Sequence, residues 1–184
     1  MDLYAFALLE GLEWDSATTA KIVGGHGEVV RAKGRRFVLA RSRGWPVPAR
    51  NAHTVAFVCV NPSNADAACD DHTVRRCWAY ARRDGAVHLV MLNLCAVRST
   101  DPGLLEVEDR MSDPEHAAVA EVARCAHRVV VAWGVPGADF PGRIKQALGA
   151  LGDKPLWCLG RTKDGHPRHP SRLADTVAFE RWTP

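Results

Sequence analysis

The sequence predicts an α/β fold: a three-layer α/β/α domain with a central, mainly parallel four-stranded sheet, plus an N-terminal helix and hairpin extension. Two observations predict it. Four short, mostly apolar runs predict buried strands, and the first of them is a continuous β-branched run, as expected of a strand that is buried on both faces. Segments of helical character separate these runs, and strands that alternate with helices form parallel sheets covered by helices. The four runs are residues 55–60, 87–92, 128–132 and 156–159.

The first fifty residues are predicted to be an extension of the same domain, and residues 51–184 are predicted to be its core. Residues 4–15 place three leucines on one side and predict a helix. Residues 28–32 and 36–41 predict a hairpin that turns at Lys33-Gly34.

Three helices are predicted between the core strands. The second begins after Ser112 or Asp113, either of which would cap it. The third closes at Gly152. The three helices are residues 73–83, 114–126 and 140–151.

The composition is that of a globular protein and excludes several other classes. Of 184 residues, 47% are apolar and 24% are charged, which argues against a disordered chain, a collagen-like chain and a coiled coil. The apolar runs are too short to span a bilayer, and the N-terminus has no basic segment typical of a secretory signal. We therefore expect a cytoplasmic protein that does not bind membranes.

The six cysteines predict reduced thiols rather than a metal centre. None of them forms a C-x-x-C pair, and three lie inside apolar runs, where cysteine behaves as a small hydrophobic residue. A zinc site needs clustered ligands, which this spacing does not offer. The sequence therefore predicts neither a metal nor a cofactor.

The charges are nearly balanced overall but unevenly placed. The formal net charge is +3, from 24 Lys and Arg against 21 Asp and Glu. Seven basic residues and no acidic residue lie between Arg31 and Arg50, and two further basic groups lie at 75–83 and 161–172. If the three groups share a face, they attract phosphate; otherwise they are solvated edges.

Polar residues follow the first core strand. They begin with Asn61-Pro62-Ser63 and continue through Asp66, Asp70-Asp71 and Arg76. Ligands of parallel sheets bind beyond the carboxyl ends of the strands, so Asn61 is a candidate to hold a water and a substrate. The alternatives are a turn with a helix cap at Asp71 or Thr73, and a carboxylate cluster for Mg²⁺.

Two further loops follow the second and third core strands. Asn93, Arg98 and Thr100 come after the second strand, where Arg98 could pair with a phosphate or a carboxylate. The alternative is a loop that caps the next helix. Trp133 comes after the third strand, where its ring could stack on a base or simply pack in the core.

The loop after the fourth core strand holds two His-Pro pairs among basic side chains, including Lys163 and Arg168. Neighbouring cations favour the neutral form of a histidine, which can then donate a hydrogen bond without carrying charge. His169 is therefore a candidate to stabilise an anionic leaving group, with Ser171 close by. The alternative is an unstructured basic tail.

These motifs, in this order, resemble the bacterial and phage family catalogued as domain of unknown function 1643 over roughly residues 35–175. They are Asn61-Pro62-Ser63 with Asp66, Asp71-x-Thr73 with Arg76, Asn93-Leu94, Arg98-x-Thr100, Trp133-Gly134 and the stretch from Leu159-Gly160 to His169-Pro170.

The Asn-Pro-Ser turn, the Asn-Leu-x3-Arg-x-Thr segment and the His-Pro-Ser ending also resemble, more distantly, the uracil-DNA glycosylase superfamily. The resemblance implies that Asn61 positions the hydrolytic water, that His169 stabilises the departing base and that Ser171 contacts the DNA backbone. The match departs from the superfamily at Cys59, where glycine is frequent, and in the Thr162–Gly165 segment. A base platform is not evident; Trp133, Phe57 and Trp78 are candidates.

From these features we expect an enzyme that hydrolyses a nucleobase N-glycosidic bond in DNA or a nucleotide. The alternatives are a metal-assisted hydrolase or transferase of a phosphate-bearing small molecule, and a nucleic-acid-binding module without activity. No obligate protein partner is evident. The candidate catalytic residues are Asn61, His169, Asp66 and Asp71. The candidate substrate contacts are Pro62, Ser63, Arg76, Asn93, Arg98, Thr100, Trp133, Lys163, Arg168 and Ser171.

Overall fold

A computed structural model describes residues 13–18, 25–32, 34–43, 53–100, 111–135 and 140–184, and the α/β class is confirmed. In these ranges one sheet holds eight strands in the order β1-β2-β3-β5-β4-β6-β7-β8. The strands are β1 (Glu13–Thr18), β2 (Gly25–Ala32), β3 (Arg35–Arg43), β4 (Thr54–Cys59), β5 (His88–Asn93), β6 (Arg128–Val131), β7 (Leu156–Cys158) and β8 (Glu180–Trp182).

The centre of the sheet consists of the four strands expected from the apolar runs. The pairs β4–β5, β4–β6 and β6–β7 are parallel, so these strands lie side by side in the order β5-β4-β6-β7. Val55, Phe57 and Val58 are fully buried, as a strand covered on both faces requires.

Antiparallel strands extend this centre on both sides, so the sheet has eight strands and not four. The β2–β3 hairpin turns at Gly34 (φ 70°), as expected, and β3 pairs with β5. On the other side β7 pairs with β8, and the sequence did not predict β8. Residues 13–15 belong to β1 and not to a helix; the rest of the expected helix, 4–12, lies outside the described residues.

The two faces of the sheet contact different helices of the described chain. α1 (His72–Arg83) packs on one face, and its Trp78 side chain is part of the hydrophobic core on that face. α2 (Asp113–Cys125) and α3 (Pro141–Leu151) contribute to the core on the opposite face. Ser112 is the N-cap residue of α2, where its amide donates to the Glu115 carboxylate, and α3 ends at Gly152.

The strand that follows β4 along the chain, β5, lies on one side of it, whereas the strand that follows β6, β7, lies on the other side. The order of the strands therefore reverses between β4 and β6. Ligands of such sheets bind beyond the carboxyl ends of the strands at this reversal. Within the described ranges, no helix has the length and apolar character that a membrane crossing needs.

Candidate functional site

The loop that follows β4 (residues 60–71, here the β4 loop) is fastened to β3 by a buried arginine. The Arg41 Nε atom lies 2.6 Å from Asp70 Oδ1, and these side chains are 0% and 1% exposed. Arg41 Nη2 also donates to the carbonyl oxygens of Asp66 (2.6 Å) and Cys69 (3.1 Å). The basic hairpin therefore directs this charge into the fold, where it fixes the loop.

A second buried arginine of β3 holds the same loop. Arg36 is 4% exposed, and its Nη1 donates to the carbonyl oxygen of Ala65. Burial lowers the pKa of the Arg36 guanidinium to about 10, and the negative charge of Asp71 offsets only part of that effect. The sequence did not single out Arg36 or Arg41, because both stand in a run of basic residues that resembles a solvated surface.

The aspartates of the β4 loop have structural partners. Asp66 Oδ1 accepts from the backbone amides of Ala68 and Cys69, both at 2.8 Å. Asp71 caps α1 by accepting from the Val74 amide at 2.8 Å, as the alternative interpretation expected. In the described part of the chain, no group of three or more His, Cys, Asp or Glu side chains is placed to hold a metal ion.

Asn61 connects the β4 loop to the loop after β5. Its Nδ2 donates to the carbonyl oxygens of Ser99 (2.7 Å) and Pro62 (3.1 Å). The carboxamide of Asn93, oriented by its hydrogen-bonding partners, donates to the Asn61 carbonyl oxygen at 3.2 Å. The structure thus brings Asn61, Pro62 and Asn93 together at the carboxyl ends of β4 and β5.

Arg98 joins this group from the loop after β5. Its Nε donates to the carbonyl oxygen of Ser63 at 3.3 Å, and the side chain is exposed. The backbone amide of Ser99 donates to the Pro62 carbonyl oxygen at 3.0 Å. Arg98 therefore lies over the start of the β4 loop, with donors available to solvent.

A buried ion pair on the α2 side holds the loop after β5 in place. Glu115 Oε1 accepts from the Ala96 amide and Oε2 from the Ser112 amide, each at 2.5 Å. Arg143 Nη1 lies 3.2 Å from Glu115 Oε2 and donates to the Leu94 carbonyl oxygen at 2.9 Å. The segment that precedes Arg98 is therefore rigidly anchored to α2 and α3.

The loop after β7 folds back to the end of β6. The Arg168 amide donates to the Gly160 carbonyl oxygen, and the Thr162 hydroxyl accepts from the His166 amide, which closes a turn over 162–165. The Gly134 amide then donates to the Pro167 carbonyl oxygen at 2.8 Å. The Thr162–Gly165 segment is a turn that places Pro167 and His169 beside the end of β6.

His169 is oriented by Ser171. The Ser171 amide donates to His169 Nδ1 at 3.3 Å, and the Ser171 hydroxyl lies 2.9 Å from the same atom. An Nδ1 that accepts from an amide leaves the proton of a neutral ring on Nε2, so Nε2 is the donor. The backbone of Ser171 is held in turn by His72, whose Nε2 lies 3.3 Å from the Ser171 carbonyl oxygen.

His169 lies close enough to Cys59, the last residue of β4, for each side chain to shift the pKa of the other. Burial opposes protonation of His169, but Cys59 and the negative charge of Asp71 together outweigh it, and the pKa of His169 is raised. The interaction with Cys77, and to a smaller extent the one with His169, lowers the pKa of the Cys59 thiol to about 6 despite its burial. The sequence showed no histidine partner for any cysteine, because the two residues are 110 positions apart.

Several predicted contacts lie elsewhere or have other partners. Trp133 is 2% exposed and packs edge-on against Trp182, with 5.5 Å between ring centroids, so its ring presents no free face for stacking. Arg76 donates to the Tyr80 hydroxyl at 2.9 Å and pairs with Asp175. Thr100, Lys163 and Arg168 are exposed side chains of the loops at this edge.

The chain matches the family described as "protein of unknown function (DUF1643)" over residues 36–171. It belongs to this family. The matched segment begins at Arg36 and ends at Ser171, so the family region contains Arg36, Asn61, Arg98 and His169. Searches of the curated proteins and of the solved structures gave no match.

Proposed function

We propose that this DUF1643 protein hydrolyses the N-glycosidic bond of a nucleobase in DNA or in a nucleotide. One observation carries the proposal: Asn61 and His169, the candidates for positioning water and stabilising the base, lie at the carboxyl ends of the adjacent parallel strands β4 and β6. The Gly134 amide, just beyond β6, donates to the carbonyl oxygen of Pro167 in the loop that carries His169, and Asn61 follows the last residue of β4 by two positions. The proposal includes the three-layer arrangement of the glycosylase-like domains, a cytoplasmic location and a nucleic acid or nucleotide as partner.

In this reaction a water oxygen forms a bond to C1′ while the C1′–N bond breaks and its electron pair leaves with the base. The Asn61 carboxamide would hold the water through Oδ1, since its Nδ2 is engaged with the carbonyl oxygens of Ser99 and Pro62 and fixes the orientation of the amide. Asp71, whose charge acts on both Cys59 and His169, would accept the proton of the water.

His169 would stabilise the leaving base as negative charge develops on it. Ser171 fixes the ring, and a preorganised donor costs little reorganisation in the transition state. Because Nδ1 accepts from the Ser171 amide, the Nε2–H of the neutral ring would be the donor to the base. On duplex DNA the base would first have to be flipped out of the helix.

The test is release of a free base, measured by chromatography. The substrates are DNA with uracil, thymine mismatches, hypoxanthine or hypermodified pyrimidines, and the matching deoxynucleotides. We expect release from at least one substrate, and losses of about 10²-fold or more in the Asn61→Ala and His169→Ala variants.

The control is Arg124→Gln, an exposed position on α2 that should leave the rate unchanged. No release from any substrate overturns the proposed reaction. Release that survives both alanine substitutions overturns the roles given to Asn61 and His169.

A further inference from the structure

Two arginines of β3 are buried, and they differ in how their charge is balanced. Arg41 has the carboxylate of Asp70 as its partner. Arg36 makes one hydrogen bond, from Nη1 to a backbone carbonyl oxygen, and its buried Nε has no hydrogen-bond partner in the described residues. No described carboxylate forms an ion pair with Arg36; Asp71 acts on it only from a longer distance.

An unbalanced buried cation is costly, because desolvation of the charge is not repaid by a nearby opposite charge. A second cation increases that cost here. Arg36 and Arg98 stand on backbone segments bonded to each other: the Arg36 amide donates to the Ala96 carbonyl oxygen at 2.8 Å, and the Arg98 amide donates to the Gly34 carbonyl oxygen at 3.1 Å. The charge of Arg98 accordingly disfavours protonation of Arg36 and lowers its pKa, after burial as the main cause. Both are also fixed to the β4 loop, Arg36 at Ala65 and Arg98 at Ser63.

We infer that Arg36 and Arg98 form a binding site for a phosphate group of the substrate. A phosphate held by the exposed Arg98 guanidinium, beside the 4% of Arg36 that the β4 loop leaves exposed, would accept charge-assisted hydrogen bonds from both and would remove their mutual repulsion. The inference rests on the proposed function for the identity of the substrate, and it names the part of that substrate which these two residues recognise.

The position of the two arginines along the sheet edge fits a nucleotide. At this edge Arg36 lies at the start of β3, which runs antiparallel to β5, and Arg98 lies in the loop after β5. Asn61 lies just after β4, and His169 lies beside the ends of β4 and β6. The strands occur in the order β3-β5-β4-β6, with neighbours about 4.8 Å apart. A base at His169, a sugar at Asn61 and a phosphate at Arg98 and Arg36 would thus lie in a row.

The phosphate could be the monoester of a free nucleotide or a diester of DNA, and binding experiments distinguish the two. The probes are inorganic phosphate, deoxyuridine, deoxyuridine 5′-monophosphate and a short single-stranded oligonucleotide, each titrated calorimetrically into the full chain. The variants are Arg98→Gln, Arg36→Met and Arg36→Lys, with Arg124→Gln as an exposed arginine control on α2.

We expect inorganic phosphate and the nucleotide to bind the unaltered protein and to bind Arg98→Gln and Arg36→Met at least about tenfold more weakly. Deoxyuridine should not distinguish these variants. Nucleotide binding without oligonucleotide binding identifies the monoester. Oligonucleotide binding whose salt slope falls by about one in Arg98→Gln identifies the diester.

The inference is overturned if inorganic phosphate, the nucleotide and the oligonucleotide all bind Arg98→Gln as tightly as they bind the unaltered protein, or bind neither. Should Arg36→Met fail to fold, Arg36→Lys keeps the charge but loses the fork and serves as the second variant. Binding does not require turnover, so phosphate binding without base release would refute only the proposed reaction. Base release that is indifferent to both arginines would refute only the phosphate site.

Discussion

A Cβ atom placed on Gly134 would lie 3.3 Å from the Cβ of His169. The end of β6 therefore touches the base of the histidine side chain directly, with no room for a larger residue between them. Gly134 also has φ +76°, a backbone conformation that residues with a side chain rarely adopt. Both properties require glycine at the point where the loop after β7 meets β6.

We expect Gly134→Ala to lower the free energy of unfolding by about 1–3 kcal/mol, because of the positive φ and the close contact. It should also displace His169 and so lower any base-release activity. Urea unfolding checks the first effect. The matched control is Gly149→Ala in α3, where no atom lies within 4 Å of the new Cβ; there we expect a gain of about 0.5–1 kcal/mol.

The Cys59 thiol is expected to ionise with a midpoint near pH 6 in the folded protein, since Cys77 and His169 stabilise the thiolate. The thiolate absorbs in the ultraviolet, so a pH titration of the absorbance difference between the unaltered protein and Cys59→Ser measures this midpoint. His169→Gln should move the midpoint upward. Cys158, with a pKa raised by burial to about 11, should stay protonated throughout and is the internal control.

This ionisation has a consequence for stability whose sign follows from linkage. The folded pKa of Cys59 lies below its ordinary value of 9.0, so the thiolate stabilises the folded state. Its contribution is complete above about pH 9 and is lost as the pH falls to about 6. A Cys59→Ser variant whose stability, relative to the unaltered protein, does not change across that interval would contradict the depressed pKa.

We expect Asp70→Asn and Arg41→Gln each to lower the free energy of unfolding by about 3–5 kcal/mol, because each removes one charge of a buried ion pair. Denaturant unfolding of the two single variants and of the double variant gives the coupling between them. Losing the exposed pair of Arg124 and Glu121 should cost less than about 1 kcal/mol. Equal losses of stability at the two ion pairs would contradict a stabilising role for the buried pair of Arg41 and Asp70.

Glu115→Gln tests whether the buried ion pair of Glu115 and Arg143 supports the loop that carries Arg98. The substitution keeps the shape but removes the charge that faces Arg143 and weakens two amide hydrogen bonds. We expect a loss of about 3 kcal/mol in stability and weaker binding of inorganic phosphate. Asp113→Asn, at an exposed position of the same helix turn, is the control. Retained stability in Glu115→Gln would show that the ion pair does not anchor the loop.

The central part of the fold could be predicted because each of its strands carries its own signal. A strand buried on both faces must be continuously apolar, and 55–60 and 129–132 are. β8 has no such signal, since only Trp182 of its three residues is buried. The expected helix over 4–15 rested on leucines at helical spacing, while residues 13–15 are paired with β2, a tertiary interaction that local periodicity does not contain.

The site could be predicted only where position along the chain implies position in space. Asn61 and Asn93 end neighbouring parallel strands, so their meeting followed from the order of the elements. The Cys59–His169 pair and the Arg41–Asp70 pair depend on how distant segments pack, and no local pattern encodes that. Arg36 and Arg41 have the composition of a surface but lie in the interior, because the β4 loop covers them.

The burial of Arg41 and the pairing of β3 with β5 also bear on where the chain can be cut. A fragment beginning at residue 51 would leave the Asp70 carboxylate without its guanidinium and would expose the hydrogen-bonding edge of β5, an apolar strand. An uncovered apolar edge pairs readily with other chains. Such a fragment should aggregate, and the hairpin is therefore needed for solubility as well as for shape.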